Sequence, residues 1–250
     1  MKNNYLLIFI YILSLAYGDS TNDVTNILLK SFHRLDNINH QFTFNFKESG
    51  KKNKTNKYKI LINWPKEGPH LKETRIIPVK DMKNKPTSFW ENQFKDKRKS
   101  KRWMSMPITG KLKDISDKKP SKKFSLADLE FSDQDIYNNE NNLTGKEIIN
   151  GELNYIINSL QKTKEGKNKE SRKLWIGVNS YIINKVEFYT KSGRLYRTVE
   201  CKNIEIIDGV SFTKDIYVKD LKSKNDYFID LYDININPKF KKEYFIPSAQ

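Results

Sequence analysis

KRWMSMPITGKLKDISDKKPSKKFSLADLEFSD, residues 101–133, opens with the strand-like run Trp103-Met104-Ser105-Met106 and stops it at Pro107. Proline has no N–H to give a central ladder, so the strand ends there or runs along a sheet edge. Ile108-Thr109-Gly110-Lys111 then reads as a turn, and Lys113-Asp114-Ile115 as a second short strand. A Lys-rich loop leads to Phe124-Ser125-Leu126-Ala127-Asp128-Leu129, where Ser125 is placed to cap a short helix.

Upstream of this stretch, one amphipathic helix is predicted over 19–36. Asp19, Ser20, Thr21 and Asn22 are N-cap candidates, and Asp23 complements the dipole in the first turn. Val24, Ile27, Leu28, Phe32 and Leu35 recur at helical spacing and make one apolar stripe, with His33 at its border. The period then changes to two. Gln41-Phe42-Thr43-Phe44-Asn45-Phe46-Lys47 puts three phenylalanines on one face, and Tyr58, Ile60, Ile62 and Trp64 repeat the pattern. A polar loop joins these runs, so they read as antiparallel neighbours. Residues 65–100 are less regular: Arg75 to Val79 reads as a short strand interrupted by Pro78, and Phe89-Trp90 as the start of another.

Downstream, strand-like runs occupy 151–160, 174–178, 182–190, 195–207, 210–218 and 227–236. Short separators such as Asn179-Ser180, Lys191-Ser192-Gly193 and Asp208-Gly209 are hairpin turns. Regular strands with hairpin turns predict an antiparallel meander, hence a mainly β fold with helices: a barrel or half-barrel over the N-terminal helix.

Residues 1–18 read as a cleavable signal peptide: Lys2 supplies the positive start, Tyr5 to Tyr17 the apolar run, and Ala16-Tyr17-Gly18 the cleavage site. The run is shorter than the roughly 20 residues a spanning helix needs. An exported chain is the expectation, with 19–250 as a single domain. Its one cysteine, Cys201, makes no internal disulfide, so the fold must stand on its apolar core.

The net charge is +16. A nucleic-acid partner is not expected, because the lysines gather at 47–59, 95–102, 111–123 and 162–173, in polar gaps between apolar runs. Solvated loops, with transient attraction to membrane surfaces, are the simpler reading.

Catalytic chemistry is hard to find. The three histidines, His33, His40 and His70, lack metal-ligand spacing, no G-x-S-x-G elbow occurs, and Cys201 has no paired base nearby. Asp128 and Asp133 are structural carboxylates on this reading rather than an acid–base pair. No enzyme, metal or cofactor is expected. What the chain does carry is aromatic surface on alternating strands, with 14 Phe, 13 Tyr and 4 Trp. Those residues serve equally a filled core or the wall of an apolar cavity, and periodicity does not separate the two.

Arg102-Trp103, Pro107, Gly110-Lys111 and Ile115 resemble the R-x-W-x-x-x-P-x-x-G-K-x-x-x-I motif of the outer-membrane lipoprotein-sorting family, the LolA/LolB-like carriers. Ala127-Asp128-Leu129 stands where that family has Ser-Asp-Phe, with Leu126 in place of its glycine and Asp133 as the trailing acid. The resemblance runs from about Trp90 to the C-terminus through Asn150-Gly151, Leu174-Trp175-Ile176, Lys185-Val186-Glu187-Phe188-Tyr189, Ser192-Gly193-Arg194-Leu195, Ile207-Asp208-Gly209-Val210 and Phe245-Ile246-Pro247.

It implies an unclosed antiparallel β half-barrel plugged by helices, whose apolar interior shields acyl chains in the periplasm. The expected function is a non-enzymatic, monomeric carrier of lipid or lipoprotein between inner and outer membranes, with an inner-membrane transporter and an outer-membrane acceptor as partners. The alternative is an adaptor of the same fold, with a filled core, docking an envelope transporter. The expected cavity wall is Phe42, Phe44, Phe46, Tyr58, Ile60, Ile62, Trp64, Trp103, Trp175 and Phe188, chosen by alternation.

Overall fold

The structure is a computed structural model that describes residues 20–49, 54–79, 87–106, 109–117, 133–162 and 168–248. The elements run α1 (Ser20–Phe32), β1 (His40–Ser49), β2 (Lys54–Asn63), β3 (His70–Pro78), β4 (Phe89–Phe94), β5 (Lys101–Ser105), β6 (Leu112–Asp114) and α2 (Asp133–Asn138). They continue with β7 (Glu140–Ile149), β8 (Glu152–Lys162), β9 (Asn168–Gly177), β10 (Ile183–Tyr189), β11 (Leu195–Ile207), β12 (Val210–Asp220), β13 (Asn225–Ile236) and a 3-10 turn, Lys242–Phe245. The strands form one antiparallel sheet of 13, ordered β6-β5-β4-β3-β2-β1-β13-β12-β11-β10-β9-β8-β7, with β6 and β7 as free edges. The sheet is not closed. The signal peptide, Pro107 and the Ser125-capped helix lie outside the described residues.

The chain falls into two compact units. The first joins Met1–Arg34 to Glu130–Leu195, and the second Leu35–Leu129 to Tyr196–Gln250. In the first unit, α1 lies against β7 and α2 and buries Val24, Ile27, Leu28 and Ser31. The helix is shorter than the predicted 19–36: it ends at Phe32, and the chain turns through 33–37. Asn37 sits at φ 61, a left-handed conformation that Asn tolerates and that no helix continues through. Leu35 therefore leaves the stripe. Beneath the helices, Ile157, Leu174 and Val186 stand in register on three adjacent strands, each at most 2% exposed. The Asn139 amide donates to Ser159 Oγ at 3.0 Å, tying α2 to that face.

Strand β7 was not predicted. Its sequence ENNLTGKEII has no apolar alternation because it is an edge strand, half-buried at most, with a bulge between Leu143 and Gly145. Its turn into β8 places Asn150 at φ 54 and Gly151 at φ 79, and the predicted Asp208-Gly209 hairpin repeats this at φ 49 and 78. Both central residues must be left-handed in such a turn, which explains the Asn-Gly and Asp-Gly pairs.

In the second unit, β1 lies between β2 and β13. Register aligns Phe44 with Tyr58 on one side and Leu231 on the other, then Phe46 with Ile229 and Ile229 with Ile216. One face is thereby apolar from β3 to β11. The irregular 65–100 region resolves into β3 and β4, with Pro78 closing β3 opposite Tyr58. On the opposite face, Leu61, Arg75, Trp90 and Trp103 follow one another across β2 to β5. The 3-10 turn lies against β3, with Phe245 buried and Arg75 donating to the Tyr244 carbonyl at 3.0 Å.

Candidate functional site

Alternation places Phe42, Phe44 and Phe46 on one side of β1, and pairing sets them against Ile60, Tyr58 and Asn56. The Phe44 and Tyr58 rings stack at 5.2 Å, and Phe46 lies 5.5 Å from Tyr227. Phe44 and Ile60 are buried, whereas Phe42, Phe46, Tyr58 and Ile62 are half-buried. Burial of the phenol raises the Tyr58 pKa above its ordinary 10.0, as an apolar surround does to any group that must charge on losing a proton. His40, opposite Ile62, is buried at the end of this row, its Nδ1–H donating to the Ile38 carbonyl at 2.7 Å. Trp64 follows β2, its backbone N–H donating to Asn39 Oδ1 at 2.7 Å and Lys72 Nζ lying 5.8 Å from its ring.

Three expected wall residues stand elsewhere. Trp103 pairs with Trp90, which pairs with Arg75 and through it with Leu61, on the face opposite to Phe42 and Ile60. The alternation of a five-residue strand does not say which side is apolar, and Trp103 is one residue out of phase with that face. In the first unit, Trp175 pairs with Lys185 and Phe188 with Arg172, so these two residues point to opposite faces. Phe188 shares the apolar side with Leu174 and Val186. Trp175 sits among charges: its Nε1–H donates to Glu147 at 2.7 Å, and Lys173 and Lys185 lie 4.9 and 4.4 Å from its ring. It is buried between lysine stems, with Ile156 as its cross-strand neighbour on β8. The structure thus groups six of the ten on one face (Phe42, Phe44, Phe46, Tyr58, Ile60 and Ile62), with Trp64 just past the end of β2.

One polar device within the second unit's apolar face was missed. Arg197 and Asp220 are cross-strand partners, with Nε and a terminal nitrogen donating to Asp220 Oδ2 at 3.0 and 2.7 Å. The signal was available: Arg197 stands two residues before buried Val199, and Asp220 two after buried Val218. In the first unit, a groove of about 490 Å³ is lined chiefly by polar residues, among them Glu140, Asn142, Asn158, Lys173 and Tyr189. It holds none of the ten expected wall residues. Beside it the Tyr189 hydroxyl donates to Glu187.

Among the described residues, no group of His, Cys, Asp and Glu is arranged to hold a metal ion. No described helix is long and apolar enough to cross a membrane. Asp133 pairs with His33 at 2.6 Å, while Asp128 lies outside the described residues.

A family model described as that of an uncharacterized protein matches residues 72–249. No protein of curated function matches the sequence. Solved structures of the same fold include a DUF1329 family protein from Desulfovibrio piger, at 18% identity and a TM-score of 0.74, covering 91% of this chain and 98% of that one. An outer membrane lipoprotein-sorting protein domain from Vibrio parahaemolyticus aligns at 16% identity and a TM-score of 0.70, over 90% and 97% of the two chains. A LolA superfamily protein from Nitrosomonas europaea aligns at 16% and 0.61, over 92% and 99%. The chain belongs to the family that this model describes, and it shares its unclosed antiparallel fold with the lipoprotein-sorting domain and the LolA superfamily protein.

Proposed function

We propose that this protein is a non-enzymatic periplasmic carrier that shields the acyl chains of a lipid or lipoprotein between the inner and outer membranes. The observation that carries the reading is the apolar face of β1 and β2, where Phe42, Phe46, Tyr58 and Ile62 remain half-buried in one contiguous row. A filled core leaves few such side chains partly open, and an acyl chain laid along the row gains roughly 0.8 kcal/mol for each methylene it buries. The open sheet shared with lipoprotein-sorting relatives supports the same reading.

The test is native mass spectrometry of protein isolated from the periplasm of a bacterium with two membranes, followed by organic extraction. Co-purifying phospholipid or acylated peptide is the expected result. Ile62→Asp should release that cargo while circular dichroism stays unchanged, because Ile62 is half-buried near the end of β2. Wild-type protein that stays free of lipid after lipid is added back would overturn the carrier reading in favour of the adaptor.

A further inference from the structure

The positive charge of this chain is not spread along it. Residues 35–129 hold 24 Lys and Arg against 10 Asp and Glu, a net +14 of the chain's +16. Within that span the densest described segment is the loop joining β4 to β5 together with the first residue of β5, where Lys95, Lys97, Arg98, Lys99 and Lys101 are all exposed. The loop is built rather than loose. The Lys95 N–H donates to the Pro69 carbonyl at 3.0 Å, and the Lys97 N–H to the Phe94 carbonyl at 3.2 Å, with Lys97 itself at φ 58. The Lys95 ammonium donates to the Lys66 carbonyl at 3.1 Å, and the Arg98 guanidinium lies 3.8 Å from the Phe94 ring. Three carboxylates answer this charge: Asp96, 3.5 Å from Arg98, Asp117, paired with Lys99, and Asp114, which Ser116 and then Lys101 and Lys99 help to hold ionised. None of the three is buried, and against five cations they leave a cationic excess. Leu71, 41% exposed, is the second residue of β3, two after the Pro69 whose carbonyl accepts from Lys95.

We propose that this loop docks the protein on anionic phospholipid surfaces. Lysines dominate it, and an ammonium is a compact point charge without the fork geometry that a fixed carboxylate or base edge would select. A fluid array of lipid phosphates asks only for density of charge, and each Lys or Arg near such a surface strengthens binding about fivefold. Exposed Leu71 offers the apolar contact that accompanies interfacial binding. Docking requires no bound acyl chain, so it stands apart from the cargo reading.

The experiment is flotation of the full chain, without its signal peptide, with vesicles of phosphatidylglycerol mixed into phosphatidylcholine, against vesicles of phosphatidylcholine alone. Binding to the anionic vesicles alone, falling steeply as salt shortens the screening length, is expected. The triple variant K97Q/K99Q/K101Q should bind about 100-fold more weakly. The matched variant K202Q/K219Q/K224Q, on exposed positions of β11 to β13, should bind as wild type. Equal binding to both vesicle types, no binding to either, or equal losses in the two variants would each overturn the proposal. Extraction of lipid from the same preparation reads the cargo separately, so the two ideas fail independently.

Discussion

Asp220 accepts two donors from Arg197 on one oxygen and the backbone N–H groups of Lys222 and Ser223, at 3.0 and 2.9 Å, on the other. Burial pushes its carboxyl up, but the Ser223 N–H and the Arg197 guanidinium outweigh it, leaving the pKa below the ordinary 3.8. A lowered folded pKa stabilises the fold fully above 3.8, and that contribution is lost as pH falls through the folded value. Asp220→Asn leaves Arg197 buried without a counter-charge and should cost about 3–5 kcal/mol in urea unfolding at neutral pH. Its stability should also fall less steeply than wild type's in acid below 3.8; an unchanged urea midpoint would show the pair to be dispensable. Tyr189 makes the opposite case. Burial and then its bond to Glu187 push its hydroxyl up to about 12, so the folded state holds that proton while the unfolded chain loses it above 10.0. Ultraviolet titration should find Tyr189 among the late-ionising tyrosines, with Tyr58 and Tyr217, and Glu187→Gln should bring one of them earlier. Alternation puts Glu187 and Tyr189 on one side of β10 and Arg197 and Asp220 on a buried side. It does not pair the latter two, which are 23 residues apart and meet only through the β11–β12 register.

At the scale of elements, legibility followed patterning. β1 and β2 were readable because three phenylalanines and a matching Tyr-Ile-Ile row alternate without a break. β11 was readable to the residue, 195–207, because the Asp208-Gly209 turn closes it. β7 was not: an edge strand needs no buried side, so its sequence carries no period to find. The six-residue α2 was missed because it is too short for a stripe. Trp103 and Trp175 show the related failure within a strand, where the period is right and the phase is set by neighbours distant in sequence. The C-terminal segment is the element whose role emerges only in three dimensions. Phe245, 4% exposed, packs its ring 5.4 Å from Phe240 while the turn lies against β3. Phe245→Ala should cost about 3 kcal/mol in unfolding free energy, within the range for large-to-small changes in a core. The same variant should shift tryptophan fluorescence to the red as Trp90, 1% exposed, gains water. Unaltered stability and emission would mean that the turn merely rests on the sheet.

For the molecule as a whole, the distinction between carrier and adaptor is thermodynamic. Any ligand that binds the folded chain and not the unfolded one raises stability, by about 2.7 kcal/mol at roughly a hundredfold excess over Kd. A carrier with a half-buried row along β1 and β2 should therefore show a Tm that rises with added phospholipid and rises further with acyl length. Each methylene buries more of the row and adds roughly 0.8 kcal/mol to binding until the row is filled. Soluble headgroup analogues without acyl chains should leave the Tm where it is, which separates cargo binding from charge attraction to the basic β4–β5 loop. Ile62→Asp should flatten the chain-length series, while K97Q/K99Q/K101Q should preserve it. The response to length carries the discrimination, because anionic headgroups alone stabilise a protein of net charge +16 to a degree that depends on salt rather than on methylene count. A Tm indifferent to acyl length at every concentration is what a filled core would give, and it would assign the half-buried aromatics to packing instead of cargo.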